Sequence, residues 1–472
     1  MLQHGIGTGP GCAPAASAGA GTQHAPARPS RRRVLGQAAA VGAAAVGAPA
    51  LLTGCGTASA KDGPLKFWNF YAPQHSDDPS LNAQSKWFTD LVEKWNRTHE
   101  QQIELLYIPP KAYQTGSKLP TAFAAGAGPD IFLVSPGDFL RYYNGGILEE
   151  LTPHMDSEAV KDYYPSQIAS RMVDGKVYAL PMEVEPLAVF YDIPTWEKKG
   201  LSEGDIPTSW DQLLDVGQKL ATSSRAGLVT ETAPGYLQNF LWYPWMWQGG
   251  GNVLDEHGKP NVDTKGVRQA LKLWQDAVRT GITPRTPPAA DDLLGAFKSG
   301  VAAMWVSGIW QVSSFKAFAP KHKYGVFKLP TPKGGRYVTA LGGWSFCANK
   351  QGRNPKAAAE FCAWALGTME DACIDRMTDW CIKAKSDIAP RKSVLKRGEQ
   401  RGGYDSHIMR YFKDEVFPGG RAEPRYPPVI YKAMSDAIQG AMLAGRPVEG
   451  ETARAQASVE AYVKSYKGAS LV

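Results

Sequence analysis

The chain has 472 residues, of which 43% are hydrophobic and 21% are charged, so it can bury a large core and is not a disordered or low-complexity chain. Its length favours two domains or lobes. The net charge is +7, but residues 1–54 hold four arginines and no acidic residue, and subtracting these four leaves +3 for residues 55–472. A nucleic-acid partner is therefore disfavoured.

The beginning of the chain has the layout of an export segment. Residues 1–29 are mostly Gly, Ala, Pro and Ser without apolar periodicity, and we interpret them as a disordered leader. Basic residues at 31–33 then precede an uncharged, Ala- and Gly-rich stretch over residues 36–53, which is the order of a secretory signal. The alternative is a membrane-spanning helix over residues 34–53, but Gly, Gln, Pro and Thr dilute its hydrophobicity.

Two short strings refine this interpretation. Ser30-Arg31-Arg32-Arg33-Val34-Leu35 resembles the twin-arginine export signature, and Leu52-Thr53-Gly54-Cys55 resembles a bacterial lipobox. The resemblance implies that residues 1–54 are removed, that Cys55 is lipidated, and that residues 55–64 form a linker. The protein would then be anchored by acyl chains on the extracytoplasmic face of the cell membrane. An ordinary core thiol is the alternative for Cys55.

Export places the remaining cysteines in an oxidising compartment. Four thiols allow three pairings, and the sequence does not choose among them. Neither flanking pair has the Cys-x2-4-Cys spacing of zinc fingers. We therefore expect structural disulfides or buried thiols at Cys347, Cys362, Cys373 and Cys381.

Strands and helices alternate along the mature chain, which is typical of an α/β layer. We predict a turn at Asp174-Gly175-Lys176 and a helix N-cap at Ser209. The predicted strands are Leu65–Tyr71, Ile103–Ile108, Asp130–Val134, Pro186–Tyr191 and Val301–Val306. The predicted helices are Leu81–Asn96, Lys118–Ala125, Trp210–Leu220, Thr264–Thr280, Asp291–Lys298, Asn354–Leu366, Pro428–Leu443 and Glu451–Tyr466.

The sequence offers little support for an enzyme. It lacks the glycine-rich phosphate loops, the His-Glu-x-x-His zinc string and the Gly-x-Ser-x-Gly hydrolase string. The sharpest enzymatic candidate is the pair Glu183 and Glu185, because two carboxylates can act as acid and base in glycoside hydrolysis. A hydrogen-bonding role explains the same pair without catalysis.

Aromatic residues are more informative. The chain has 14 Trp and 19 Tyr, and a sugar binder needs aromatic faces for stacking and polar groups for hydrogen bonds to hydroxyls. Core or hinge packing is the alternative for each ring, and Tyr243 to Trp247 could be a packed helix edge. The rings near predicted strand ends or loops are Trp68, Tyr71, Trp242, Tyr243, Trp245, Trp247, Trp310, Trp344 and Tyr426.

The segment Phe297 to Trp310 resembles the extracellular solute-binding proteins of ABC transporters, in the sugar-binding group related to maltose-binding protein. Supporting segments follow in the family's order over nearly the whole mature chain. They are Ala125-Gly126-Ala127-Gly128-Pro129-Asp130-Ile131, Gly145-Gly146-Ile147-Leu148-Glu149-Glu150-Leu151, Lys176-Val177-Tyr178-Ala179-Leu180-Pro181, Pro207-Thr208-Ser209-Trp210-Asp211 and Leu341-Gly342-Gly343-Trp344.

This resemblance implies an α/β fold of two lobes, each a β-sheet flanked by helices, with hinge crossings between the lobes. The first lobe would hold residues 65–183 and about 337–383. The second would hold residues 184–336 and about 384–466.

The resemblance also implies site residues between the lobes. Glu185 follows Ala-Leu-Pro, where the family often places a carboxylate, and Trp310 closes the Gly-x-Trp segment, where an aromatic platform is common. The sequence departs from its relatives at Val134 and Pro136, so this part of the pocket is expected to differ. The remaining implied ligand contacts are Trp68, Asn69, Tyr113, Ser135, Asp138, Trp245, Gly343, Trp344 and Tyr426.

The implied function is capture of a mono- or oligosaccharide for an ABC permease by a monomer that catalyses no reaction and needs neither metal nor cofactor. Two alternatives stay open. The same fold could bind a polyamine, a peptide or an opine, since polyamines also use aromatic boxes. A lipid-anchored glycoside hydrolase acting through Glu183 and Glu185 is the other.

Overall fold

A computed structural model describes residues 63–74, 79–115, 117–286 and 292–472. The predicted export segment, with Arg31, Arg32 and the lipidation site Cys55, lies outside these residues, as does most of the linker 55–64. No helix within the described ranges has both the length and the apolar character needed to cross a membrane.

The strands of the described residues form two five-stranded sheets and one hairpin. In chain order they are β1 Leu65–Asn69, β2 Ile103–Tyr107, β3 Ile131–Val134, β4 Met172–Val173, β5 Lys176–Val177, β6 Leu180–Pro181, β7 Glu185–Asp192, β8 Met304–Gly308, β9 Tyr324–Phe327, β10 Thr339–Gly342, β11 Ser345–Ala348 and β12 Gly420–Ala422.

Helices flank both sheets. They are α1 Pro79–Thr98, α2 Lys118–Ala124, α3 Pro136–Asn144, α4 Ser157–Asp162, α5 Pro165–Ala169, α6 Ile193–Lys198, α7 Trp210–Leu220, α8 Tyr236–Gln248, α9 Lys265–Arg279, α10 Leu293–Lys298, α11 Trp310–Phe318, α12 Pro355–Leu366, α13 Asp371–Asp379, α14 Lys392–Gln400, α15 His407–Tyr411, α16 Pro428–Ile438 and α17 Val448–Ser465. Wider π-helical turns follow α13, α15 and α16, at Trp380–Ala384, Phe412–Val416 and Gln439–Leu443.

The first sheet has the strand order β2-β1-β3-β11-β6. Strands β1, β2 and β3 run parallel, whereas β11 is antiparallel to both β3 and β6. Every residue of β3 is buried, as expected for an apolar strand that helices cover on both faces. This sheet and its helices form the first lobe.

The second sheet has the order β12-β10-β7-β8. The long strand β7 is fully buried and pairs with β10 at its beginning, with β8 along its middle and with β9 at its end, each time antiparallel. The short strand β12 runs parallel to β10. This sheet forms the second lobe with the helices α8 and α9 and the C-terminal helices α16 and α17.

Three chain segments pass between the lobes and form the hinge: residues 182–184, residues 343–344 and residues 385–388. The backbone N–H of Met182 donates to the Trp344 carbonyl at 3.0 Å, and the Val184 N–H donates to the Ile388 carbonyl at 2.8 Å. The hinge is therefore built from three hydrogen-bonded strand-like segments rather than from loose linkers.

Local sequence signals explain several element boundaries. Asp174 and Gly175 both have positive φ, 50° and 76°, which makes the predicted turn a two-residue hairpin loop between β4 and β5. Ser209 caps α7 as predicted, because its hydroxyl accepts from the Gln212 N–H at 3.2 Å and the Gln212 side chain accepts from the Ser209 N–H at 3.2 Å. Together these contacts form a capping box.

The α/β class and the two lobes are confirmed, but some predicted elements differ. The strand predicted at Val301–Val306 begins at Met304 instead, because Ala302 forms only an isolated bridge with Ala226. Helices α3 to α6, α8, α11 and α13 to α15 were not predicted. The chain enters the first sheet again at Ser345 rather than near residue 337, because β10 pairs with β7 of the second sheet. The other lobe boundaries stay predictions.

The four cysteines among the described residues are free thiols, and all four are buried. They lie in the first lobe and the adjoining π-helical turn: Cys347 on β11, Cys362 on α12, Cys373 on α13 and Cys381 in the turn after α13. Of the two expectations, this structure matches buried thiols.

The capping box gives a prediction for the second lobe. Ser209→Ala removes the side-chain acceptor at the start of α7 and is expected to lower the free energy of unfolding by about 1 kcal/mol. Urea unfolding measures the change, and Ser223→Ala in an exposed turn is the matched control. Equal midpoints for both variants would contradict the capping role.

Candidate functional site

The strand register brings one edge of each sheet to the hinge. In the first lobe, β1 and β3 end at this edge, β11 begins there and β6 ends there. The edge residues are Asn69, Ser135, Trp344 and Glu183.

In the second lobe, β7 begins at the hinge edge, while β8, β10 and β12 end there. Glu185 is the first residue of β7, Trp310 follows β8 by two residues, and Glu423 follows β12 directly. Because Gly342 and Gly343 join the two edges, side chains from both lobes line one cleft.

Four buried charged groups sit beside the hinge, and we call them the hinge cluster: Glu183, Glu185, Lys385 and Asp387. The Lys385 Nζ lies 2.5 Å from a Glu185 oxygen, 3.2 Å from a Glu183 oxygen and 3.1 Å from an Asp387 oxygen. Trp380 donates its indole N–H to the second Glu183 oxygen at 2.6 Å. Three acids thus share one base.

The electrostatics of the hinge cluster follow from burial. Burial raises the pKa of Glu185 to about 7, and Glu183 adds to the rise while Lys385 opposes it. Burial also raises the pKa of Asp387 well above its ordinary value. Burial alone would lower the pKa of Lys385, but the three carboxylates outweigh it and raise the pKa. The ammonium therefore stays charged.

The three carboxylates of the hinge cluster also offer the kind of oxygen donors that bind hard cations, with one oxygen of each within 4.8 Å of the others. Lys385 already lies within 3.2 Å of an oxygen of each of them. A lysine ammonium thus stands where a cation would bind.

A second group of carboxylates lies at the start of α3. Glu423 of the second lobe accepts a hydrogen bond from the backbone N–H of Gly137 in the first lobe. A Cβ at Gly137 would lie 2.5 Å from a Glu423 oxygen, so only glycine permits this approach. Asp138 lies 3.3 Å from Arg141 and accepts from the Tyr431 hydroxyl at 3.3 Å.

Glu423 is only 3% exposed. Burial raises its pKa to about 8, Asp138 and Glu185 add to the rise, and Arg171 opposes it. Tyr236, at the start of α8, lies against the same glycine, and burial followed by the charges of Asp138, Glu423 and Glu185 raises its pKa well above 10. A charge on the first lobe, that of Asp138, therefore raises the pKa of groups on the second lobe.

Arg171 is fixed inside the first lobe. Its guanidinium donates to the Ser345 hydroxyl at 3.0 Å, to the Gln167 carbonyl at 3.1 Å and to the Gly343 carbonyl of the hinge at 2.8 Å. Burial lowers its pKa to about 10. Gly343 has a φ of +123°, and a Cβ there would lie 2.2 Å from the Glu183 carbonyl oxygen. Because residue 343 is glycine, the hinge segments 182–184 and 343–344 can lie in contact.

Aromatic rings stand on both edges of the cleft. The Trp310 ring folds over Gly308, where a Cβ would lie 1.8 Å from the ring, and the Phe240 ring centre lies 6.4 Å away. On the first lobe, Trp344 contacts Phe70 with ring centres 4.7 Å apart. Trp310 and Trp344 both keep part of their surface exposed.

The structure brings most of the predicted ligand residues to the cleft edges: Asn69, Ser135, Asp138, Glu185, Trp310, Gly343 and Trp344. Trp68 is half-buried on β1, with Lys118 5.7 Å from its ring centre. Tyr113 is buried beside Phe70 and Trp344, with ring centres 5.2 and 6.3 Å away. Its hydroxyl accepts from the Leu133 N–H at 2.8 Å and donates to the Leu133 carbonyl at 3.0 Å. Tyr113 thus fixes β3 in place.

Trp245 and Tyr426 are not in the cleft, which corrects the expectation for both. Trp245 is fully buried in α8, where its ring contacts Trp274 at 5.2 Å and its indole N–H donates to the Leu241 carbonyl. Tyr426 is buried against Tyr243, with ring centres 6.1 Å apart. Trp245 belongs to the core of the second lobe because α8 packs between α9 and α16. Tyr426 packs against the same helix through Tyr243.

Five site residues were not predicted: Glu423, Tyr236, Arg171, Lys385 and Asp387. All except Arg171 are more than 50 residues from Glu185 along the chain, and β12 before Glu423 has only three residues. The sequence contains one weak signal for Glu423: the pair Glu423-Pro424 repeats the pair Glu185-Pro186 at the start of β7.

A two-lobed chain with facing polar and aromatic edges at a hinge has the architecture of a solute-binding protein. The family model described as "Bacterial extracellular solute-binding protein" matches residues 78–371. The chain belongs to this family.

Similar proteins are also named as binding proteins. A binding protein of Brucella abortus is 26% identical over 223 residues, which are 46% of this chain and 54% of that protein. The chain thus spans about half the length of this relative. The arabinooligosaccharide-binding protein of Bacillus subtilis is 26% identical over 337 residues, which are 68% of this chain and 74% of that protein.

Solved structures show the same fold. The cyclic alpha-maltosyl-1,6-maltose binding protein from Arthrobacter globiformis has a TM-score of 0.68 and 22% identity, over 86% of this chain and 100% of that chain. A solute-binding protein from Thermotoga lettingae, bound with alpha-D-tagatose, has a TM-score of 0.71 and 20% identity, over 84% and 99%.

The raised pKa of Glu423 predicts how its removal depends on pH. A carboxyl whose pKa rises from 4.5 to about 8 on folding stabilises the folded protein below its unfolded pKa, and this contribution is lost as the pH rises through the folded pKa. Glu423→Gln cannot lose a proton. We expect its stability relative to wild type to increase between about pH 4.5 and about pH 8 and to change little above that range.

Thermal unfolding across this pH range measures the effect. Glu104→Gln, at an exposed position on β2, is the control and should run parallel to wild type. A Glu423→Gln curve that also runs parallel to wild type would contradict the buried, proton-binding state of Glu423.

Proposed function

We propose that this protein binds a mono- or oligosaccharide between its two lobes and delivers it to the permease of an ABC import system. One observation carries the proposal: across the cleft from the Trp310 ring, the Asn69 amide nitrogen and the Ser135 hydroxyl are buried without a hydrogen-bond partner among the described residues. Unpartnered buried polar groups are costly, and a ligand hydroxyl would satisfy them.

The cleft offers the two kinds of contact that a sugar needs. Partly exposed indole rings at Trp310 and Trp344 can stack on the C–H face of a pyranose. Carboxylates at Glu185, Asp138 and Glu423 can accept hydrogen bonds from hydroxyls. The oligosaccharide ligand in the name of the Bacillus subtilis relative supports the same class of ligand.

Binding would close the lobes around the ligand. A ligand that contacts both edges stabilises the closed form by the difference in its affinity for the two forms. The three hydrogen-bonded hinge segments let the lobes rotate without breaking either sheet. A permease would then recognise the closed form, and no covalent bond changes.

The family is one of extracellular solute-binding proteins, and this supports a location outside the cytoplasm. We propose that the twin-arginine segment with Arg31 and Arg32 directs export and that lipidation of Cys55 anchors the monomer at the outer face of the membrane. This anchoring would keep the ligand close to the permease.

The surroundings of Glu183 and Glu185 argue against the alternative that the protein is a glycoside hydrolase. Glu183 is fully buried and bonded to Trp380 and Lys385. The Lys385 ammonium lies between Glu183 and Glu185, so a sugar and its attacking water have no room between them. Steady release of reducing ends from a glycan panel would revive this alternative.

A thermal-shift screen over sugars, polyamines, peptides and opines tests the proposed function, because a ligand of the folded state raises the unfolding temperature. With the sugar found, we expect Trp310→Ala to weaken binding about tenfold or more in calorimetry and to leave the fold intact. Trp364→Ala, on α12 away from the cleft, is the control.

Two results would contradict the proposal. One is a stabilising ligand that is not a carbohydrate while every sugar is inactive. The other is an affinity of the Trp310→Ala variant equal to that of the Trp364→Ala variant, which would remove Trp310 from the site.

A further inference from the structure

The cleft has more acidic than basic side chains. Five carboxylates lie on the two edges or in the hinge beside them, whereas four basic groups accompany them. The acids are Asp138, Glu183, Glu185, Asp387 and Glu423, and the bases are Arg141, Arg171, Lys316 and Lys385. If all are charged, the cleft has one uncompensated negative charge.

None of the four bases forms an ion pair with Glu423 within the described part of the chain. Lys385 is enclosed by the carboxylates of the hinge cluster. Arg171 is wholly buried and donates to backbone and hydroxyl groups of the first lobe. Arg141 lies 3.3 Å from Asp138, and Lys316 donates to the Ser386 hydroxyl at 3.0 Å.

Glu423 holds the least compensated of these charges. Its hydrogen bond from Gly137 comes from a neutral N–H group, and Arg171 acts on it only through space. A buried carboxylate without a cationic partner either retains a proton or recruits a positive charge. Its pKa of about 8 and the pKa of about 7 for Glu185 reflect this unmet demand.

The surroundings of Glu423 suit an ammonium group. Asp138 and Tyr236 lie beside it at the start of α3 and α8. Carboxylates and an aromatic ring are the contacts that a protonated amine prefers. Glu185 is a weaker candidate, because Lys385 already bonds it at 2.5 Å.

We propose that the sugar bound by this protein carries a basic nitrogen, as in an amino sugar or an aminocyclitol, and that Glu423 receives its ammonium group from the second lobe. This inference rests on the proposed function and narrows it. The remaining rings of the ligand would stack on Trp310 and Trp344 as in any saccharide.

Matched ligand pairs test the proposal, since each pair differs only at nitrogen. We would compare chitotriose with cellotriose and with triacetylchitotriose, and trehalosamine with trehalose, by calorimetry at about pH 7. A hydrogen bond between charged groups predicts that at least one amine binds about ten- to a hundredfold more tightly than its hydroxyl or acetylated twin.

Variants identify the group responsible. Glu423→Gln should weaken binding of the amine more than binding of its hydroxyl twin and so remove most of the preference for the amine, whereas Glu104→Gln should change neither affinity. If Glu423→Gln fails to fold, Asp138→Asn is the second variant, and it should lower the same preference.

The outcomes separate the two proposals. Equal or tighter binding of the neutral twins, or an amine preference that Glu423→Gln and Asp138→Asn leave intact, overturns the inference and spares the proposed function. If a neutral or anionic sugar binds and none of the amines does, the inference is also overturned. If no saccharide of any charge binds in either screen, the proposed function fails, and the inference fails with it.

Discussion

The Lys385 ammonium joins three buried carboxylates where the chain passes between the lobes, and the geometry of the hinge depends on this contact. Without it, Glu183, Glu185 and Asp387 would place three negative charges in a space from which water is largely excluded, a cost of several kcal/mol for each unpaired ion. With it, residues 385–388 are held against residues 182–184, and Glu185 is fixed at the first position of β7. The same contact thus sets the hinge and positions a carboxylate in the cleft.

The aromatic residues divide into two sets with different tasks. Helix α8 buries Trp242, Trp245 and Trp247, and these rings give the second lobe a rigid core. The rings of Trp310 and Trp344 stay partly exposed at the sheet edges. Gly308 leaves room for the Trp310 ring, and Gly343 leaves room for the Glu183 carbonyl. Rigid lobes with exposed rings only at their facing edges suit a protein that binds by closing.

Local signals predicted the helices α7, α9 and α12 and the hairpin turn, because an amphipathic stripe, a capping residue and an Asp-Gly pair act over a few residues. The edge residues that follow strands, such as Ser135 and Trp310, could be located through the ordered family segments. Glu423 and Lys385 could not, because they reach Glu185 only through the pairing of β12, β10 and β7 and through the third hinge segment. Trp245 was assigned to the cleft by the family resemblance, which does not show that α8 is buried on every side.

A crystal structure with a saccharide identified by the stabilisation screen shows whether the ligand binds between the two lobes. We predict density for one ligand between the two sheet edges, with a sugar ring against Trp310 and hydroxyls within hydrogen-bond distance of Asn69, Ser135 and Glu185. Density elsewhere on the chain, or a cleft in which these groups bond only to one another while the ligand is bound outside, would contradict it.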